Sequence, residues 1–446
     1  MSERFVVIGG IAAGMSAASR IKKVKPDSEV IVFEKGEYIS YGACSMPYYI
    51  SNPEGDYRDL IVLSVDDARE KRKIDVRTNH FVLGISPTEK RVFYRELISG
   101  KEKSINYDRL VIATGAFPVK PPVGGVDEDY VFSLRTLDDG IKIKEFINEK
   151  KPRSAVIIGA GYIGLEMAES FKELGLDVTI VEMLEKPMPD YNEKIISTIL
   201  QTLKENGVKA FFNARVERIE DNIVYSTAGN FRADIVLLAT GIKPSVKLAK
   251  DAGIELGENG AIAVDSKMET SVSGIYAAGD CAESIHRLTN RKVYVPLGTV
   301  ANKHGRIAGL NAARETIRFP GVIKSAEFKL FDREVARCGL TLREAMEEGF
   351  DPVEVSITAS SSAHGYRHRY PIQIAMIGDR RTGKLLGAQM IGKVGVAHRI
   401  NIVATAIFNG NTVKEFSMFD LAYAPPFSPV WDPVLIAANV LSGKLK

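Results

Sequence analysis

Apolar residues in this chain gather in short, almost unbroken runs, and the runs come in two sets. The first set is Phe5-Val6-Val7-Ile8, Val30-Ile31-Val32-Phe33 and Leu110-Val111-Ile112-Ala113; the second is Val156-Ile157-Ile158, Val178-Thr179-Ile180-Val181 and Ile235-Val236-Leu237-Leu238. Runs of this length without polar alternation suit strands buried on both faces, as in a parallel sheet covered by helices. A seventh run, Ile275-Tyr276-Ala277-Ala278, follows both sets. The leading run of each set enters a glycine turn, Gly9-Gly10-Ile11-Ala12-Ala13-Gly14 or Gly159-Ala160-Gly161-Tyr162-Ile163-Gly164, and then a helical stretch. Pro118 and Pro244 stand just past the closing run of each set and mark crossings between domains. From about residue 319 the pattern changes. Strand-like segments at 327–331 and 372–377 alternate with helical ones at 342–349 and 399–409, and no glycine turn recurs. The expected fold is α/β, with two Rossmann-like dinucleotide-binding domains and a C-terminal α+β domain. The expected boundaries are 1–116 and 243–322 for the first unit, 117–242 for the second, and 323–446 for the last.

Composition narrows the function more than the fold. At 446 residues the chain is long enough for two or three cores. A formal net charge of +3 gives no nucleic-acid or polybasic membrane signature. No apolar run approaches the roughly eighteen residues of a membrane helix, and the N-terminus reads as a first strand where a signal peptide would need an h-region. Three widely spaced cysteines, Cys44, Cys281 and Cys338, exclude a disulfide framework and suggest a reducing compartment. A cytoplasmic protein is expected.

The glycine turns carry the first chemistry. A strand, a tight glycine turn and a helix N-terminus bring backbone N–H groups against a pyrophosphate, and an acidic residue about twenty positions on accepts from ribose hydroxyls. Glu34 and Glu182 stand at those places. One such turn is also an ordinary strand-to-helix junction, but two in one chain imply two dinucleotides. Ile11 replaces the middle glycine of the first turn. No arginine follows Glu182 in 183–189, so NADH is expected in preference to NADPH at the second turn, with Lys186 as the nearby cation. Asp280, at the exit of the seventh run, reads either as a helix N-cap or as an acceptor for cofactor hydroxyls.

The second chemistry lies in Ser40-Tyr41-Gly42-Ala43-Cys44-Ser45-Met46-Pro47-Tyr48-Tyr49, which opens a short helix with Pro47 in its first turn. A cysteine at the mouth of a helix is expected to be shifted toward thiolate, the reactive form. His364 and His368 are four apart but lack a carboxylate or cysteine partner, so no metal site is expected.

The paired glycine turns, the two Ala-Thr-Gly strand ends at 113–115 and 239–241, Gly274-Ile275-Tyr276-Ala277-Ala278-Gly279-Asp280 and the solitary Cys44 resemble the pyridine nucleotide-disulfide oxidoreductases. Within them the chain is similar to the single-cysteine branch of coenzyme A-disulfide reductases, NADH oxidases and persulfide reductases. The resemblance implies FAD on Gly9, Gly10, Ala13, Gly14, Glu34, Lys35, Thr114, Gly115, Asp280 and Ala301, with 296–302 under the isoalloxazine. It implies NADH, with NADPH possible, on Gly159, Gly161, Tyr162, Ile163, Gly164, Glu166, Glu182 and Gly241. Tyr162 matches the tyrosine that covers the flavin until nicotinamide displaces it. Glu166 matches a carboxylate of the nicotinamide pocket. Two-cysteine relatives place a partner five residues before the second cysteine, and that position here is Ile39. Cys44 would therefore store oxidising equivalents as a mixed disulfide, a persulfide or a sulfenic acid.

The same resemblance implies a homodimer, in which Tyr423 of Ala422-Tyr423-Ala424-Pro425-Pro426-Phe427 reaches Cys44 of the partner subunit, as a proton donor or by packing alone. Tyr366 and Tyr370 remain equal candidates for a second active-site tyrosine. Coenzyme A, as substrate or as a Cys44 adduct, would place its phosphates near Arg20, Lys23, Lys71 and Arg306 and its thiol arm near Ser40; a solvated basic face is the alternative for these cations. Three activities stay open: disulfide or persulfide reduction, NADH oxidation by oxygen, and a non-enzymatic NADH-responsive flavin protein. Peroxidase relatives carry a histidine in the first glycine turn, where Ala12 stands here. No fused sulfurtransferase domain is expected after the last helix.

Overall fold

In the computed structural model, which describes residues 2–445, the two sets of apolar runs form two five-stranded parallel sheets. The first runs in the order Ile275–Ala277, Arg109–Ile112, Arg4–Ile8, Glu29–Phe33, Asp75–Arg77. The second runs Lys209–Phe211, Asp177–Val181, Ser154–Ile158, Ile235–Leu238, Val131–Ser133. The registers repeat: Ile8 pairs with Phe33 and Ile112, and Ile158 pairs with Val181 and Leu238. Each unit also carries a three-stranded antiparallel meander, one from His80–Ser86 to Glu102–Asn106 and one from Val216–Glu220 to Gly229–Arg232. Pro118 and Pro244 end up in the two crossing segments, Ala116–Pro118 and Ile242–Pro244, which pair only with each other. A missing N–H is tolerated in such a two-stranded ribbon.

The two glycine turns fold alike because the same backbone collisions constrain both. Gly9 and Gly159 have φ of +105° and +109°, and a Cβ there would overlap the carbonyl of Ala113 or Ala239 on the neighbouring strand. The helix Ala12–Val24 then lies against Gly298–Ala312, where Gly305 and Gly309 bring the second helix onto the backbone of Ala13 and Ala17. The last unit is a five-stranded antiparallel sheet, ordered Ala326–Leu330, Arg333–Gly339, Leu385–Gly392, Pro371–Asp379, Pro352–Ser360, with Val396–Phe408 and Pro433–Lys444 packed on it. Among the described residues no helix is long and apolar enough to cross a membrane.

Where the first unit meets the last, His286 is buried with neither ring nitrogen hydrogen-bonded. Burial, then the Lys324 charge, lowers its pKa to about 4, and burial lowers that of His304 to about 3. A base whose folded pKa is depressed adds stability that is present above the unfolded value, about 6.5, and is lost as pH falls toward the folded one. We expect urea stability to drop between pH 7 and 5, with a total acid penalty on the order of 3 kcal/mol for His286. His286→Leu should flatten that slope; an unchanged slope would reject the assignment.

Candidate active site

Among the described residues, three of the seven helices of ten residues or more begin with no side-chain cap and no carboxylate on their first N–H groups: Ala12–Val24, Tyr162–Glu173 and Gly298–Ala312. The other four are capped by Thr136, Asn192 and Asp432, or by Glu334 on the amides of Val396 and Ala397. Orphan N–H groups and the positive end of the macrodipole therefore remain at the two glycine turns and at the 296–302 segment, where anionic or polar cofactor atoms are expected. The turns also hold their acidic residues alike. Glu34 accepts from the amides of Gly10 at 2.7 Å and Gly36 at 2.8 Å; Glu182 accepts from Ala160 at 2.7 Å and Leu184 at 2.8 Å. Each carboxylate is thus fixed at the lip of its turn. The residues present fit two dinucleotides.

Around the first turn, Ala13 and Ala301 are buried at the crossing of their helices, and Lys35 is exposed. Thr114 donates to the Ser245 carbonyl at 2.6 Å, and Gly115 takes a positive φ. Asp280 is not a cap: it accepts from Arg135 Nη2 at 2.6 Å. Arg135 was not a sequence candidate, and only the adjoining Thr136-x-x-Asp139 capping box was legible there. Around the second turn, Gly161 caps the helix that opens with Tyr162, Ile163 is exposed, Gly164 packs on the Gly159 carbonyl, and Gly241 takes a positive φ. Lys186 is drawn off to Glu193 and Glu185.

Cys44 lies between the two units. It occupies a 3-10 turn, Ala43–Ser45, directly before the helix Met46–Ser51. The turn is tied to the first unit through Ser40, whose amide reaches the Gly10 carbonyl at 3.0 Å and whose φ is +46°. The short helix is clamped from both sides. Ser170 of Tyr162–Glu173 donates to the Pro47 carbonyl at 2.9 Å. The buried Lys144 ammonium donates to the carbonyls of Tyr49, Asn52 and Gly55 at 3.1, 2.7 and 2.7 Å, and so closes the helix C-terminus. Lys144 is another residue that sequence reasoning missed.

All three cysteines are free thiols; Cys281 and Cys338 are buried, and Cys44 alone is exposed. Ile39, at the alternative cysteine position, is 1% exposed and packs under Gly10. One expectation is corrected here. The protein surroundings raise the Cys44 pKa, through desolvation first and the Glu166 carboxylate next, with Arg135 opposing. Glu166, one helical turn before Ser170, is itself pushed up to about 7 by burial. The helix mouth alone does not make a thiolate of Cys44, because a carboxylate faces it and the nearby arginine is engaged by Asp280.

The remaining candidates lie on the periphery. Arg20, Lys23 and Arg306 make no ion pair among the described residues, whereas Lys71 pairs with Asp67 at 2.6 Å. Arg20 and Lys23 lie on the helix Ala12–Val24; Arg306 is on the helix packed beside it, where Asn302 accepts from Ser16, and Arg72, next to Lys71, reaches Ser19. Tyr423 is 48% exposed, and no hydrogen bond or ring contact joins it to Cys44 within the chain among the described residues. Tyr366 packs against His368, and Tyr370 lies beneath Lys393.

Residues 3–305 match the pyridine nucleotide-disulphide oxidoreductase family, and residues 325–433 match its dimerisation domain. The chain belongs to this family. It is 40% identical over 452 residues to an NAD(P)H coenzyme A polysulfide/persulfide reductase of Pyrococcus horikoshii, covering 99% of each chain. It is 36% identical to an NADH oxidase of Methanocaldococcus jannaschii, again over 99% of each. The solved structure of an NAD-dependent persulfide reductase from A. fulgidus superposes with a TM-score of 0.95 at 39% identity, over 99% of this chain and 83% of that one. As a family member this protein is an FAD-dependent oxidoreductase that uses NAD(P)H, with the family's dimerisation domain at its C-terminal end.

Proposed function

We propose that this enzyme carries electron pairs from NADH to coenzyme A disulfide or to a coenzyme A persulfide or polysulfide through Cys44. One observation carries the reading. Cys44 is the single accessible thiol, clamped between the two nucleotide units, with buried Ile39 where a resolving cysteine would stand. With no partner thiol inside the chain, the second sulfur has to come from outside. Bound FAD supplies hydride acceptance from nicotinamide and a two-electron relay. The chain's own part begins when the Cys44 thiolate attacks one sulfur of coenzyme A disulfide, releases one thiol and leaves a mixed disulfide. Two electrons then cleave that bond, restoring the thiolate and freeing the second thiol after protonation. Glu166, which burial raises to about 7 and whose charge bears on Cys44 more than that of any other carboxyl group, is the proposed acid.

The proposed FAD unit is drawn from 1–116 and 243–322, the nicotinamide unit from 117–242, and the interface from 323–446. Glu34, Lys35, Thr114, Gly115, Asp280 and Ala301 serve the first cofactor; Tyr162, Ile163, Glu166, Glu182 and Gly241 serve the second. Arg20 and Lys23 on the first helix, with Arg306 and, less freely, Lys71 beside it, mark where coenzyme A phosphates would lie, with Ser40 along the thiol arm. The proposed assembly is a homodimer. Met418, Phe427, Val430 and Trp431, each 52–76% exposed, stand in the same segment as Tyr423, which supports that segment as the part meeting the partner. The cytoplasm suits three unpaired thiols.

Mass spectrometry of the purified, unreduced enzyme tests the substrate class. A coenzyme A or sulfur adduct confined to Cys44 is expected. A single added oxygen would favour an NADH oxidase cycling through sulfenic acid, and an unmodified Cys44 that never acquires coenzyme A from its disulfide would sink the proposal.

Coenzyme choice is testable separately. Glu182 is presented by two amides, and Lys186 is occupied by Glu193, so a ribose hydroxyl suits the lip better than a 2′-phosphate. Glu182→Ala should raise the KM for NADH about tenfold or more, on the scale of a lost charge-assisted hydrogen bond, while leaving the NADPH value nearly unchanged. Equal effects on both would refute the ribose assignment.

A further inference from the structure

We infer that Tyr191 is a positioning residue that latches Tyr162, the gate of the nicotinamide pocket, and that the C-terminal sheet holds the latch. This rests on the reading of Tyr162 given above and goes beyond it. The Tyr162 and Tyr191 hydroxyls are 3.2 Å apart, and the Tyr162 ring stands edge-on to Phe328, with centroids 5.2 Å apart and planes at 89°. Tyr191 is 4% exposed. The guanidinium of Arg337 lies 5.8 Å from its ring centroid.

The segment bearing Tyr191 is pinned on both sides of that residue by the C-terminal unit. Asp190 accepts from Arg343 at 2.5 Å, and its carbonyl accepts from Gln389 at 2.8 Å. The Asn192 amide reaches Gln389 Oε1 at 2.5 Å, and its side chain donates to Glu354 at 2.5 Å. Tyr191 is therefore a fixed post, and Tyr162, at the first position of its helix, is the member free to swing. If Tyr162 moves aside, it leaves a buried hydroxyl without a partner, which is a cost the nucleotide must overcome on binding.

The prediction follows from that cost. Tyr191→Phe keeps the ring and removes the latch, so the FAD-loaded enzyme should bind 1,4,5,6-tetrahydro-NADH, a non-reducing analogue, about two- to tenfold more tightly, the range of one net hydrogen bond. Flavin fluorescence without nucleotide should rise as Tyr162 becomes less fixed. The limiting rate of flavin reduction and the rate of Cys44 alkylation should stay as in the parent. Tyr162→Phe removes the same bond from the other side, so the double variant should match either single one. Additive effects, or a Tyr191→Phe protein with parental affinity and fluorescence while Tyr162→Phe shifts both, would overturn the latch alone. If Tyr162→Ala also changes neither quantity, the gate reading fails and takes the latch with it. Phe328→Leu, which loosens the ring contact from the sheet side, supplies the same readouts should Tyr191→Phe fold poorly.

Discussion

Cys44→Ser is expected to retain the flavin's visible spectrum and its bleaching by NADH, while anaerobic turnover of coenzyme A disulfide or persulfide falls by at least about a thousandfold. Loss of a reacting nucleophile costs this much when it is required in the transition state, and more in well-studied hydrolases. The fold should not be the cause. Cys44 is exposed in a 3-10 turn, and the helix behind it is held by Lys144 and Ser170, whose bonds go to main-chain carbonyls and not to the thiol. Anaerobic conditions matter because reduced flavin reaching oxygen would mimic turnover. A serine variant that still reduces coenzyme A disulfide at the parental rate would remove the basis of the proposed mechanism. In the parent, turnover limited by thiolate should rise with pH, since desolvation and Glu166 both raise the Cys44 pKa. Glu166→Gln should move that rise to lower pH.

The largest expected loss of stability comes from Arg399→Ala. Arg399 is 6% exposed and Asp432 7%. Its Nε lies 3.1 and 3.0 Å from the two carboxylate oxygens, and its other nitrogens reach the carbonyls of Gly395, Ser361 and Phe427 at 3.1, 3.1 and 2.9 Å. Asp432 in turn caps Pro433–Lys444 through the Val434 amide and accepts from Ser428. Removing the guanidinium strands a buried carboxylate and frees three carbonyls, a loss of about 3–5 kcal/mol. In a chain of several cores this should appear locally, as fast amide exchange over 423–441 with the two parallel sheets still protected. Loss of the proposed dimer should accompany it, because the same guanidinium fixes the Phe427 end of the exposed apolar segment. Uniform deprotection of all three units would contradict that localisation. Replacing Arg399 and Asp432 together by Met and Leu should cost less than Arg399→Ala, since no buried charge is then left alone.

What could be read from residue order was what neighbouring residues impose on one another. Unbroken apolar runs announced both parallel sheets, and the glycine turns announced two equivalent junctions, because the positive φ that Gly9 and Gly159 adopt is one a side chain rarely takes; the collision a Cβ would make there with the carbonyl of Ala113 or Ala239 appears only once the next strand is packed. Glu34 and Glu182 were equally legible: each is fixed by amides of its own turn and of the residue two positions on. What only the tertiary structure decided are the polar contacts made after the units dock. Arg135 meets Asp280 across 145 residues and Lys144 meets Tyr49 across 95, while Tyr162 meets Tyr191 across 29 within one unit, at a place where the last sheet packs on both. The charge state of Cys44 belongs to this second class. A helix mouth argues for thiolate on local grounds, but desolvation and the carboxylate of Glu166, brought in by a helix more than a hundred residues later, decide the sign in the folded chain. Local sterics act through bonds that order alone specifies, whereas electrostatics act through space, and space is known only once the units have packed.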